Sequence, residues 1–196
     1  MHKTFISYYH EDEQDLKDKI VEKFSGEDFI DKSVHDGDID PDNTEETIMR
    51  TIREDFLSDS TVTLVIVGEN TAKRPFVNSE LQASLWGDNP NGLLAVVRDS
   101  VYDKIYKSGS CTSPDCNCGT TLRIPTDKYR QYLPELVYKN RQGPSPHFTD
   151  DEVYCSLIKY SSFIKNPEKY IDEAFNKRES GNFDIHKKLS PETPKI

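Results

Sequence analysis

Seven residues, Thr61-Val-Thr-Leu-Val-Ile-Val67, constrain this chain more than any others. A run so short, apolar and β-branched reads as a strand covered on both faces, the signature of a central parallel strand. Parallel neighbours cannot be joined by a tight hairpin, so each needs a crossover, usually a helix. The flanking sequence supplies that alternation. Lys3 to Tyr8 is β-prone, and in His10 to Phe24 the residues Leu16, Ile20 and Phe24 fall at i, i+4 and i+8. Phe29 to Val34 reads as a second strand. His35 to Asn43, rich in Asp, Gly and Pro, is a loop. Asn43 with Glu46 resembles a capping box that opens a helix carrying Ile48, Met49, Ile52 and Phe56.

After Val67 comes a turn, Gly68 to Thr71, then Lys73, Arg74 and Pro75. The helical pattern that follows has Phe76, Leu81 and Leu85 on one face and Glu80 one turn beyond Phe76. Gly92 to Arg98 is a fourth strand and Val153 to Tyr160 a fifth. Asn166-Pro167 starts a last helix, with Tyr170, Ile171, Ala174 and Phe175 as its apolar face. The expected fold class is α/β: an open, mostly parallel five-stranded doubly wound sheet, flavodoxin-like in layout. Residues 102–148 lose periodicity and are expected to be a long irregular insertion before the last strand. The domain should span 1–179, and residues 180–196 should form a polar, frayed tail.

Charge narrows the partners. The formal net charge is −10 and there is no Lys/Arg block, which argues against nucleic acid as the main partner. No apolar stretch approaches the roughly 20 residues that a membrane-spanning helix needs. The amino-terminal residues lack a signal-peptide core, so a cytoplasmic location is expected. Cys111, Cys116 and Cys118 follow a C-x4-C-x-C spacing that matches no common zinc pattern. They are read as free thiols in a loop. A metal site would require Cys155 or a histidine to join them, and no metal is assigned. The glycine-rich fingerprint of a dinucleotide-binding redox fold is missing after the first strand. A phosphoacceptor receiver would need an Asp at the end of the third strand, where Gly68-Glu69 stands.

In order, KTFISYYHED, the His35-Asp36 to Pro41 loop, TLVIVGEN and the F-x-x-x-E of Phe76 to Glu80 resemble the boxes of TIR domains. The resemblance is best over residues 3–98. It is nearest to the stand-alone TIR-like proteins (ThsB type) of the Thoeris anti-phage defence system. On its residues alone, Glu80 reads as a solvated surface carboxylate. The resemblance implies a catalytic one, in the W-x-x-x-E arrangement of NAD-cleaving relatives, with Phe76 where many have Trp. Pro41-Asp42 stands where many relatives have Gly.

The implied reaction cleaves the bond between ribose and nicotinamide. Nicotinamide leaves neutral, so no general acid is required, and a carboxylate opposes the positive charge developing on ribose. NAD is then substrate, and no cofactor is implied. Further substrate-binding candidates are Phe5, Ser7 and Tyr8 at the end of the first strand, His35 and Asp36 in the loop, Lys73 and Arg74 for a pyrophosphate, and Phe76. Alternation along a strand puts Phe5 and Ser7 on one face and Tyr8 on the other, so not all three can contact ligand. On their residues alone, Phe5 reads rather as core, and Lys73 and Arg74 rather as a solvated pair before a helix. The implied product is an ADP-ribose-derived signalling nucleotide, a cyclic isomer or a conjugate, acting on a separate effector protein. TIR enzymes often complete their site between protomers, which adds a homo-oligomer to the implied partners. The competing reading is a non-catalytic TIR interaction module.

Overall fold

The computed structural model describes residues 2–24, 29–30, 34, 37–116, 118–143 and 147–196. Five parallel strands form one sheet in the order β2-β1-β3-β4-β7: β1 Thr4–Ser7, β2 Phe29–Ile30, β3 Val62–Val67, β4 Gly92–Val97 and β7 Ser156–Lys159. All four pairings are parallel, so the sheet is wholly rather than mostly parallel. The Thr61–Val67 run lies near the middle, with every residue of β3 buried. The chain crosses from β1 to β2 on one side, then returns to place β3 on the other. The β1/β3 boundary is therefore the switch point at which such sheets leave a crevice beyond their strand ends.

Helices cover both faces. On one, α1 (His10–Lys23) brings Leu16 and Ile20, the short α7 (Tyr160–Phe163) brings Phe163, and α8 (Pro167–Ser180) brings Ile171 and Ala174, onto Ile6, Leu64, Ile66 and Val96. On the other, α3 (Pro75–Leu85) buries Val77, Leu81 and Leu85 against Val65, Val67 and Ala95. Beside it, α2 (Glu45–Thr51), continued by a π-helical turn over Ile52–Phe56, packs Met49 and Ile52 around Phe5. Gly92 opens β4 beneath α8. A Cβ there would lie 2.2 Å from the Ala174 carbonyl oxygen, so only glycine allows this approach.

Several boundaries differ from the sequence reading. The cap of α2 is Thr44, whose hydroxyl accepts the Thr47 N–H, rather than Asn43. The second strand is described only over Phe29–Ile30, because residues 31–33 lie outside the described set. The 102–148 segment is not irregular. It contains the end of α4 (Asp99–Ile105), an antiparallel hairpin of β5 (Tyr106–Ser110) and β6 (Thr121–Pro125), and two short helices, α5 (Tyr129–Tyr132) and α6 (Glu135–Lys139). Polar strands pairing outside a main sheet leave little hydrophobic periodicity to read. The 180–196 tail is also docked rather than frayed. Its Ser190 N–H donates to Glu135 at 3.0 Å, and its Leu189 N–H donates to Gln82 Oε1 at 3.0 Å.

Candidate active site

Helix α3 presents two faces at 3.6 residues per turn. Val77, Leu81 and Leu85 take the face toward β3 and β4, while Phe76 and Ala83 join the cluster around Phe5. Phe76 therefore does not share the Leu81 and Leu85 face, because the true apolar stripe begins one residue later, at Val77. Glu80 lies on the Phe76 side, one turn on, and there it meets the end of β1.

Glu80 is 2% exposed, so it is no surface carboxylate. Ser7 Oγ–H donates to its Oε2 at 2.6 Å, and the Val34 N–H donates to its Oε1 at 2.9 Å. Burial pushes its pKa up to about 7, although both hydrogen bonds favour the charged form. Two donors aimed at two oxygens suit an acceptor-only carboxylate. Near neutral pH the group therefore balances between an ion held by two donors and a neutral acid favoured by desolvation. It sits against the last residue of β1, at the switch point of the sheet.

The other candidates divide by face. Ser7, fully buried, is joined directly to Glu80. Phe5, on the same face and equally buried, packs with Met49, Ile52 and Ala83, which makes it core rather than a ligand contact. Phe76 is half-buried at the edge of that cluster. Tyr8 points to the opposite face, packs with Leu16 and Ile20, and donates its hydroxyl to Gln14 Oε1 at 3.0 Å. The structure thus separates Tyr8 from Glu80, as strand alternation requires. Lys73 is exposed at the end of a short 3-10 turn. The Arg74 guanidinium stacks 3.5 Å above the Tyr9 ring, a cation–π contact that spends it on Tyr9 rather than on the Glu80 side. His35 and Asp36 lie outside the described residues.

Sequence reasoning missed three contributors. The Val34 N–H carries no side-chain signal, since any residue but proline offers one. The tail runs along α3 beside Glu80: the Ile196 N–H donates to Ser79 Oγ at 2.9 Å, and Asn78 Nδ2 donates to the Pro194 carbonyl at 2.9 Å. The third is a second buried acid, Glu13 of α1. It accepts the Tyr9 N–H and the Thr71 hydroxyl, each at 3.2 Å, through Oε2. Its Oε1 has no hydrogen-bond partner among the described residues, and burial raises its pKa to about 7. Thr71 Oγ1 also accepts the Gly68 N–H at 2.8 Å, so Glu13 braces the turn that leads from β3 into α3.

Residues 5–103 match the family model described as Thoeris protein ThsB, TIR-like domain. The match runs from β1 into α4 and takes in Ser7, Val34 and Glu80. The chain belongs to this family. The ThsB-type TIR-like domain accounts for the four strands from β1 to β4 and the helices between them, and it places the protein in Thoeris defence. The hairpin, β7, α8 and the tail lie outside the matched ThsB residues. Among the described residues no helix is long and apolar enough to cross a membrane.

Proposed function

We propose that this ThsB-type TIR protein cleaves NAD, releases nicotinamide and makes an ADP-ribose-derived signalling nucleotide, a cyclic isomer or a conjugate, that activates a separate effector in anti-phage defence. The observation that carries this reading is the buried carboxylate of Glu80 at the sheet's switch point, with a pKa of about 7 and two donors already in place. A desolvated carboxylate opposes positive charge on ribose far more strongly than a solvated one.

The chemistry follows from these groups. As the ribose–nicotinamide bond breaks, its electron pair leaves with nicotinamide and the ribose gains oxocarbenium character. Ionised Glu80 opposes that charge. Ser7 holds Oε2 in place, and Oε1, which among the described residues accepts only the Val34 N–H, keeps acceptor capacity for a ribose hydroxyl. A nucleophile then closes the reaction, either water, a hydroxyl or amine of the same molecule, or an external acceptor.

The same geometry also favours a second reading. Each Glu80 oxygen accepts a hydrogen bond from the fold and the group is almost fully enclosed, as a structural carboxylate in a non-catalytic TIR module would be. One experiment separates the two. Wild type and Glu80→Gln are incubated with NAD, with and without lysate from phage-infected cells, and nicotinamide and ADP-ribose species are followed by mass spectrometry. The catalytic reading expects Glu80→Gln to lose about two to three orders of magnitude in nicotinamide release. Equal rates would remove Glu80 from the reaction. No release by wild type under either condition would leave the structural module.

A further inference from the structure

The hairpin β5–β6 stands apart from the main sheet, and its side chains are exposed or half-buried, none fully buried. An isolated two-stranded sheet is marginal in water and usually needs another anchor. Its base has one, where Tyr106 packs edge-on against Tyr129. At its tip, the Cys111 N–H donates to the Thr120 carbonyl at 3.0 Å, closing a loop that holds all three clustered cysteines.

That loop meets a residue from far along the chain. The His147 Nε2 lies 3.2 Å from Cys116 Sγ and 3.4 Å from Cys118 Sγ. With Cys111 included, one ligand atom from each of the four residues falls within 4.8 Å of every other. A tetrahedral zinc site with Zn–S of about 2.3 Å and Zn–N of about 2.0 Å has S···S edges near 3.8 Å and S···N edges near 3.5 Å. The two S···N separations lie close to that edge, and the 4.8 Å that bounds the remaining pairs admits the S···S edge. Cys155 is not a member. It is buried in the core, and its thiol faces the Ser156 carbonyl.

His147 is brought to the loop by contacts that do not involve the cysteines. Three residues on, Asp150 pairs with Arg123 of β6 at 3.1 Å and with buried Arg141 at 2.6 Å. Thr149 and Glu152 form a capping box that fixes the intervening turn. The fold therefore carries the histidine to the hairpin tip before any ligand is considered. Three thiols and an imidazole converging within reach of one ion are the donor set of a closed structural zinc site.

We propose that Cys111, Cys116, Cys118 and His147 bind one zinc ion, which staples the hairpin tip to the segment leading into β7. On binding, the three thiols release their protons to solvent and the neutral imidazole coordinates through Nε2, so binding strengthens as pH rises. The role is structural: four protein donors leave no open position for substrate. This inference is independent of the reading of Glu80.

The test begins with metal analysis of the full-length protein purified without chelator. About one zinc per chain is expected for wild type, and at least a tenfold lower content for Cys116→Ser/Cys118→Ser. Cys155→Ala should keep its metal. His147→Cys should also keep it, because a four-thiolate set still suits zinc. Cobalt substitution should give the intense visible d–d bands of a tetrahedral thiolate site, and these should be lost in the double variant. Hydrogen exchange provides a control for folding. Removing the metal should speed exchange across 106–125 and leave β3 and β4 protected. The proposal is overturned if wild type carries no zinc and gives no cobalt spectrum, or if the double variant retains its metal.

Discussion

The two donors on Glu80 do not offset the cost of enclosing it, and that imbalance has a measurable consequence. An exposed glutamate in the unfolded chain titrates near 4.5, whereas Glu80 in the fold titrates near 7. Below 4.5 both states hold the proton. Between 4.5 and about 7 the folded state binds more protons than the unfolded one, so stability falls as pH rises. Above about 7 the loss is complete. At about 1.4 kcal/mol per pH unit, the interval amounts to roughly 3 kcal/mol. At 2% exposure, solvent screening reduces this little.

Gln is nearly isosteric with the protonated acid. Its carbonyl can keep the Val34 N–H and its amide can donate to Ser7 Oγ, since a hydroxyl accepts as readily as it donates. Glu80→Gln should therefore match wild type near pH 4.5 and become more stable by up to about 3 kcal/mol at pH 8. For a chain of this size that is a gain of roughly 6–12 °C in Tm. Glu13, which titrates in the same window, is present in both proteins and cancels in the difference. Urea unfolding at several values from pH 5 to 8 measures the difference directly. A Glu80→Gln protein that is less stable than wild type at pH 8, or whose advantage does not change with pH, would refute the argument. A stabilised variant that also fails to release nicotinamide would show a charge kept for function at a cost to the fold.

Two other perturbations follow from the same contacts. Ser7→Ala removes a hydrogen bond that lowers the Glu80 pKa, so the rise of nicotinamide release with pH should move to higher pH, with the greatest loss of rate below neutrality; a pH–rate profile measures it. Gly68→Ala would set a Cβ 1.7 Å from Glu13 Oε1, and overpacking of this kind should cost about 1–3 kcal/mol in urea unfolding. Because the clash is with a side chain, Glu13→Ala should relieve much of it, giving a clear coupling in a double-mutant cycle.

What the sequence determined by itself was the layering. The continuous apolar run of β3, the stripe of Leu16 and Ile20, and the Asn166-Pro167 start of α8 are local signals, set by residues three or four apart, and each forms as read. The choice of Glu80 also came from the chain, through its order of motifs. Its burial did not. On helical spacing alone Glu80 could face water; it is enclosed because α3 presents its Phe76 side to β1, where a serine 73 residues away supplies a donor. The Val34 N–H, the brace from Glu13 to Thr71 and the tail along α3 are likewise contacts between distant segments, and no local pattern encodes them. The cysteines show the limit most clearly. Their C-x4-C-x-C spacing lacks a fourth ligand, and His147 reaches them through a segment anchored by Asp150, which pairs with Arg123 of the hairpin and with buried Arg141. Periodicity records which face of an element is buried. Only the packed chain decides what each face meets.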